Sequence, residues 1–212
     1  MKNIAEHFNE EAKNHDNFFR NAEMKPFYDE IETQINKCVN KNNILVLGCG
    51  TGIEIERIKS KSKVTAVDIS EEMLNELRKK NFHEEIELST ICGSLLEMDL
   101  GNDLYDVVLS CYVMHHFNEA QKLYLYSNIH KCLTSGGVFI NGDITAKTKE
   151  DEISRYKAAK NIYAEQNKQF GSLHIDIPLY YEHEFDILNK TGFSNVILEH
   201  EWTHTKLYRA CK

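Results

Sequence analysis

Residues 43–54 read NILVLGCGTGIE, and this stretch decides the fold. Four apolar residues at 44–47 have the length of a buried strand, and they run directly into a turn that contains Gly48, Gly50 and Gly52. Glycine permits positive φ angles and allows a ligand to approach the backbone closely. The stretch therefore predicts a ligand site at the carboxyl end of a buried strand, followed by a helix at residues 53–59.

A second apolar run, residues 64–67, ends at Asp68, eighteen residues after Gly50. In a βαβ unit, a carboxylate at this position reaches the two hydroxyl groups of a ribose. The glycine turn and Asp68 together predict an adenosine-like ligand above the carboxyl edge of the sheet.

The spacing of the glycines limits the choice of ligand. Dinucleotide-binding turns follow G-x-G-x-x-G and present a helix N-terminus to a diphosphate. Here the pattern is G-x-G-x-G, and Glu54 and Glu56 follow it at positions where carboxylates repel phosphate. No Gly-Lys-Ser/Thr follows the turn, which excludes a P-loop. A cationic sulfonium without phosphate fits this acidic surrounding better.

The remaining chain alternates strand-like and helix-like segments. Strands are predicted at residues 44–47, 64–67, 86–91, 105–111 and 138–144, and further helices at 71–80 and 118–133. Strands that alternate with helices indicate a parallel sheet covered on both faces. Residues 1–40 indicate one or two amphipathic helices, and residues 147–181 a charged helix and a less regular stretch. The chain closes with a helix at 182–190 and strands near 195–199 and 206–211.

Four motifs in order resemble those of the class I S-adenosylmethionine-dependent methyltransferases, type 11-like small-molecule enzymes included. They read LGCGTG at 47–52, VDIS at 67–70, DVVLSCYVMHHF at 106–117 and LTSGG at 133–137. The resemblance implies a Rossmann-like, doubly wound α/β fold: a mostly parallel seven-stranded sheet, helices on both faces and an antiparallel strand near the C-terminus. We expect a single domain, with a helical cap (1–40), a cofactor-binding core (43–145), a lid-like insertion (147–181) and a C-terminal helix and strands (182–212).

The resemblance also implies which residues contact S-adenosylmethionine. Backbone at the glycine turn would hold the amino-acid end of the cofactor, Asp68 would bind the ribose, and Ile69 would pack on the adenine. Gly93-Ser94 stands where the family often has Gly-Asp, so the Ser94 hydroxyl or the Leu95 backbone would receive the adenine amino group. The predicted cofactor contacts are Gly48, Cys49, Gly50, Asp68, Ile69, Ser94, Leu95 and Cys111.

Two histidines that follow the fourth strand are the candidate catalytic residues. Methyl transfer from a sulfonium is an in-line displacement, in which orientation of the reactants supplies about 7–11 kcal/mol. A positioned base adds about 10²–10⁴-fold. His116, or else His115, is placed to act as that base, because histidine titrates near neutrality. The alternative is that these side chains, with Tyr112, only line the pocket.

The residues at the end of the fourth strand narrow the acceptor class. Residues 110–113 read SCYV, without the prolines that grip nucleobase amines, and the net charge of −8 disfavours a broad nucleic-acid footprint. A small-molecule acceptor is therefore expected. An RNA (tRNA) methyltransferase and a non-catalytic S-adenosylmethionine-binding module remain alternatives, and an NAD enzyme is a more distant one.

No metal site is predicted. Residues 200–204 read HEWTH, which matches the zinc-protease pattern H-E-x-x-H, but that chemistry requires a helix and this run has the character of strand and turn. Six scattered cysteines and an amino terminus without an apolar core indicate a cytoplasmic protein that does not enter a membrane. A monomer or homodimer is expected.

Overall fold

The computed structural model describes residues 3–38, 40–168, 170 and 172–212. The predicted cap and lid also include Met1, Lys2, Val39, Gln169 and Gly171, which lie outside the described residues. Within the described part, seven strands form one sheet. They are β1 (Asn43–Leu47), β2 (Ser62–Asp68), β3 (Ile86–Cys92), β4 (Tyr105–Cys111), β5 (Leu133–Ile144), β6 (Ser194–Glu201) and β7 (Thr205–Cys211).

The sheet has the order β3-β2-β1-β4-β5-β7-β6. The first five strands in this order pair in parallel, whereas β7 is antiparallel to both β5 and β6. The order reverses between β1 and β4, so this is the switch point at which α/β sheets bind ligands. The predicted Rossmann-like α/β fold, with its antiparallel C-terminal strand, is confirmed.

Helices cover both faces of the sheet. Within the described residues they are α1 (Ile4–Glu11), α2 (His15–Phe19), α3 (Lys25–Asn36), α4 (Glu71–Arg78), α5 (Glu119–Cys132), α6 (Lys149–Glu165) and α7 (Tyr181–Lys190). The Ser70 hydroxyl accepts a hydrogen bond from the Met73 backbone N–H, so it caps α4 as its position before two glutamates predicts. None of these helices has both the length and the apolarity that a membrane span requires.

Strand β1 divides the core into two halves because successive side chains point to opposite faces. Ile44 and Val46 belong to a cluster that includes buried residues of α3 and α4. Leu45 and Leu47 belong to a second cluster, with residues of α5 and α7. All four side chains are at most 2% exposed. The turn that follows β1 is therefore carried by a deeply buried strand end.

The helix predicted at residues 53–59 is wrong. This segment contains only the short 3-10 turn Ile55–Arg57, and Ile58 is already extended with ψ 116°. Too few residues separate the glycine turn from β2 for several helical turns and a return. The β-branched isoleucines also disfavour a helix. Ile53, Ile55 and Ile58 are instead buried beneath α3, which packs on this segment.

The amino-terminal region also differs from expectation. Its described residues form three helices, α1, α2 and α3, rather than one or two. Asn3 begins α1 with a reciprocal capping box to Glu6, and Pro26 lies in the first turn of α3. These local start signals break the region into short helices, and that allows it to fold over the carboxyl edge of the sheet.

Candidate cofactor and active site

The glycine turn presents bare backbone at the end of β1. Gly48, Gly50 and Gly52 have φ angles of 60°, 48° and 79°, in the left-handed region that other residues rarely adopt. The backbone N–H of Cys49 donates to the carbonyl of Val67 on β2 at 3.0 Å. The turn is thereby fixed against the strand that carries the acidic residue.

Asp68, the last residue of β2, is buried beside this turn. Its Oδ2 accepts a hydrogen bond from the Gly50 N–H and its Oδ1 accepts one from the Ser70 N–H, both at 2.8 Å. Burial raises the pKa of Asp68, and the backbone donors of Ser70 and Gly50 act in the opposite direction. A carboxylate has acceptor capacity beyond these two bonds, so it retains lone pairs for a ligand hydroxyl.

A cavity opens above the switch point and encloses about 1010 Å³, its open mouth included. Every residue predicted to contact the cofactor lines it: Gly48, Cys49, Gly50, Asp68, Ile69, Ser94, Leu95 and Cys111. Residues from the ends of several strands, far apart in sequence, thus meet at one cavity.

The structure separates the two candidate catalytic histidines, which lie in the 3-10 turn Met114–His116 after β4. His116 lines the cavity, as does Tyr112. His115 is buried behind it, where its Nδ1 lies 2.6 Å from Oδ1 of Asp143. Of the two histidines, only His116 lines the cavity.

The two imidazoles differ in their protonation. Burial and the neighbouring His115 lower the pKa of His116 to about 4, so this ring is neutral at physiological pH. Burial also opposes protonation of His115, but the Asp143 carboxylate outweighs burial and raises the pKa of His115. A neutral, buried His116 can accept a proton or coordinate a cation.

Sequence reasoning did not assign Glu54 or Phe117 to the cavity wall. Glu54 is 4% exposed, and burial raises its pKa to about 8. The cap adds Phe8 and Phe19, and Phe117 follows the histidine turn. Phe8 and Phe19 are the apolar positions of the predicted amphipathic helices. Glu54 is one of the two acids that follow the glycine turn in the sequence. Its burial could not be predicted, because the segment 53–59 does not form the expected helix.

Polar contacts hold the cap on the core. His15 Nδ1 lies 3.1 Å from Oγ1 of Thr51 in the glycine turn, and the Asp16 carboxylate pairs with Nζ of Lys80 at 2.7 Å. Burial lowers the pKa of His15 to about 4. The carboxylate of Asp16 acts to raise this pKa, and the positive charge of Lys80 acts to lower it. The cap is therefore attached at the same turn that would receive the cofactor.

The cap also touches the predicted lid. An isolated antiparallel bridge joins Asn3 to Leu173, and the ring of His7 stacks on His174 with centroids 3.9 Å apart.

The H-E-x-x-H run lies elsewhere, with His200 in β6 and His204 in the bend before β7. The predicted strand-and-turn character of that run is confirmed.

Residues 44–137 match the family described as "Methyltransferase domain". An uncharacterized methyltransferase of Anoxybacillus flavithermus is 26% identical over 153 residues, which cover 71% of this chain and 68% of that protein. A carboxy-S-adenosyl-L-methionine synthase of Campylobacter fetus is 25% identical over 123 residues, 54% of this chain and 52% of that protein.

Solved structures share the fold. A Nostoc punctiforme protein, provisionally named an O-methyltransferase, has a TM-score of 0.71 at 22% identity over 97% of this chain, which spans 60% of that protein. The DhpI–SAH complex has a TM-score of 0.70 at 16% identity over 98% of this chain and 94% of DhpI. Residues 44–137, the part that the family matches, carry a methyltransferase domain of the class I S-adenosylmethionine-dependent type. S-adenosylmethionine is the cofactor of this class.

Proposed function

We propose that the protein transfers the methyl group of S-adenosylmethionine to a small-molecule acceptor. The observation that carries this proposal is the covered cavity: the predicted cofactor residues line one side, and aromatic side chains of the cap close the other. A site closed in this way favours an acceptor that can be enclosed with the cofactor. We also propose that residues 1–40 act as the cap and 147–181 as the lid, within a single domain.

The proposed cofactor pose follows from the backbone and from Asp68. The backbone of Gly48 and Gly50, which lines the cavity, would receive the amino-acid end, and the remaining lone pairs of Asp68 would accept the ribose hydroxyls. Ile69 would pack on the adenine, with Ser94 and Leu95 at its edge. The Asp68 carboxylate in the wall, and Glu54, which would ionise beside a bound cation, suit a ligand that carries positive charge and no phosphate.

The proposed acceptor lies between the cofactor and the aromatic cover. Phe8 stands edge-on to His116, with centroids 5.5 Å apart, and Phe19 lies 5.5 Å from the ring of Tyr112. These contacts give an apolar surface with one neutral imidazole. Positioning by such a surface can drive the displacement, because the sulfonium is already an activated leaving group. His116 would accept a proton where the acceptor must lose one, and otherwise it lines the pocket.

Two measurements test the proposal. The first is calorimetric binding of S-adenosylmethionine and of NAD; binding of NAD alone would overturn the assignment. The second is incubation with radiolabelled S-adenosylmethionine and cell extract that is then separated into RNA, protein and metabolite fractions. We expect label in the metabolite fraction, and label in RNA would support the tRNA methyltransferase alternative.

The fate of the cofactor separates the remaining alternatives. Mass spectrometry of the reaction should show S-adenosylhomocysteine in amounts equal to the methylated product. Tight cofactor binding without turnover in any extract would indicate a non-catalytic binding module. Formation of a heavier S-adenosylmethionine derivative would indicate a reaction like the one for which the Campylobacter relative is named.

A further inference from the structure

Two histidines and one aspartate form a compact group at the wall of the cavity. His115 and His116 come from the turn after β4, and Asp176 comes from the irregular segment after α6. One nitrogen or oxygen atom from each lies within 4.8 Å of the others. The Ile177 N–H donates to the carbonyl of His115 at 2.8 Å, which holds the two parts of the chain together.

His115 is oriented as metal-binding histidines usually are. Asp143 accepts from the His115 backbone N–H at 2.8 Å and lies 2.6 Å from its ring Nδ1. The other ring nitrogen, Nε2, lies 3.6 Å from Oδ1 of Asp176, and an ion bound there would take the place of a proton. A carboxylate that holds the far nitrogen of a histidine is the usual outer partner of a metal ligand.

His116 supplies an independent observation. Its side chain is 7% exposed, and its Nδ1 makes no hydrogen bond with any residue that the structure describes. Buried polar atoms are normally partnered, because an unpaired one loses its hydration without compensation. The ionic group facing it is Asp176, with Oδ1 at 3.5 Å. The same oxygen therefore stands opposite both imidazoles.

The two separations from Asp176 Oδ1 leave room for an ion. Hydrogen bonds between imidazole and carboxylate would measure about 2.7–3.2 Å. The observed 3.5 and 3.6 Å are longer. Ligands at about 2.05 Å from a tetrahedral ion stand about 3.3–3.4 Å apart along the tetrahedron's edges. Both imidazole–carboxylate separations are therefore compatible with one ion between the three groups.

We propose that His115 Nε2, His116 Nδ1 and the Asp176 carboxylate bind one divalent transition-metal ion of the Zn²⁺ class. Imidazole with carboxylate suits such ions, and a set of three protein ligands leaves a position for water or substrate. Its use in catalysis rests on the proposed function: because His116 also lines the cavity, the ion would favour an acceptor with an ionisable hydroxyl or thiol group. A bound ion lowers the pKa of such groups.

Metal binding is measured without cofactor or acceptor, so its failure is distinguishable from failure of the proposed function. Chelator-treated protein is titrated with Zn²⁺ by calorimetry and with Co²⁺ by visible absorption. We expect one equivalent per chain, and loss of that equivalent in Asp176→Asn and His116→Ala. Asp143→Asn, which alters the outer partner, should weaken binding about 10–100-fold.

His204→Gln is the matched control, because His204 is exposed and lies in the H-E-x-x-H run. It should bind like the wild type. Asp176 is 44% exposed, so its variant keeps the test open if the His116 variant does not fold. The proposal is overturned if the wild type binds no stoichiometric ion, if both ligand variants bind normally, or if the Co²⁺ spectrum shows thiolate ligation.

Discussion

The Asp68 carboxylate and the Gly50 backbone N–H meet at 2.8 Å, so the acidic end of β2 and the glycine turn after β1 form one rigid unit. A second bond, to the Ser70 N–H, ties the same carboxylate to the start of α4. The residue proposed to bind ribose is thus also the residue that shapes the backbone proposed to receive the amino-acid end of the cofactor.

Asp68→Asn should therefore weaken cofactor binding strongly. Its amide N–H₂ cannot accept from a ribose hydroxyl, and one charge-assisted bond to the ligand is worth about 1.5–3 kcal/mol. We expect about a 10- to 150-fold rise in the dissociation constant of S-adenosylmethionine, measured by calorimetry. Asp186→Asn, at an exposed position of α7, is the control. Equal affinity of the Asp68 and Asp186 variants would contradict the ribose role.

Cofactor binding should release a proton from Glu54. Burial raises the pKa of this carboxyl to about 8, so it is mostly protonated at pH 7 in the free protein. A cationic ligand in the same cavity stabilises the carboxylate and lowers that pKa. Calorimetry in buffers of different ionisation enthalpy should detect the release at pH 7. The release should disappear in Glu54→Gln, and undiminished release from that variant would show that another group is responsible.

Attachment of the cap should weaken in acid because of His15. The folded-state pKa is about 4 against 6.5 for the free side chain, so protonation favours the unfolded form. The contribution to stability is complete above pH 6.5 and is lost as the pH falls towards 4. His15→Asn keeps a polar atom near Thr51 without this titration. Urea unfolding between about pH 4 and 7 should give a shallower pH dependence for the variant; an unchanged slope would exclude His15.

A buried ion pair between α5 and α7 offers a test of stability away from the cavity. Lys122 Nζ donates to Glu184 at 2.6 Å, and both side chains are at most 4% exposed. Lys122→Met leaves the carboxylate uncompensated and should cost about 3–5 kcal/mol in the free energy of unfolding. Adding Glu184→Gln, which removes that charge and keeps hydrogen bonds to Tyr126 and Tyr208, should recover part of the loss. This account would be refuted if Lys122→Met alone lowered the free energy of unfolding by less than the double variant does.

Local signals were sufficient for the strands and for the turn of the cofactor site. Residues 43–54 combine a β-branched run with closely spaced glycines, and Asp68 ends the next strand, so each feature can be interpreted without knowing the rest of the fold. The helix expected at 53–59 does not form. Its isoleucines are apolar like a helix face, but they do not have the spacing of one, and the segment before β2 is too short for a helix.

The surroundings of the histidine pair could not be predicted. Asp143 reaches His115 from the end of β5, and Asp176 reaches it from the irregular segment after α6. Neither acid belongs to a motif with a fixed spacing to the histidines. Their meeting depends on the order of the strands and on the course of an irregular segment, which no local pattern encodes. Sequence spacing therefore indicates H-E-x-x-H as a metal-binding pattern and does not indicate the cluster of His115, His116 and Asp176.

The bridge between Asn3 and Leu173, with the stacked rings of His7 and His174, couples the amino-terminal helices to the irregular segment after α6. An outward movement of the first helix must therefore either break this bridge or carry Leu173 with it. If the proposed function is correct, we expect release of S-adenosylhomocysteine and release of the methylated product to depend on the same displacement.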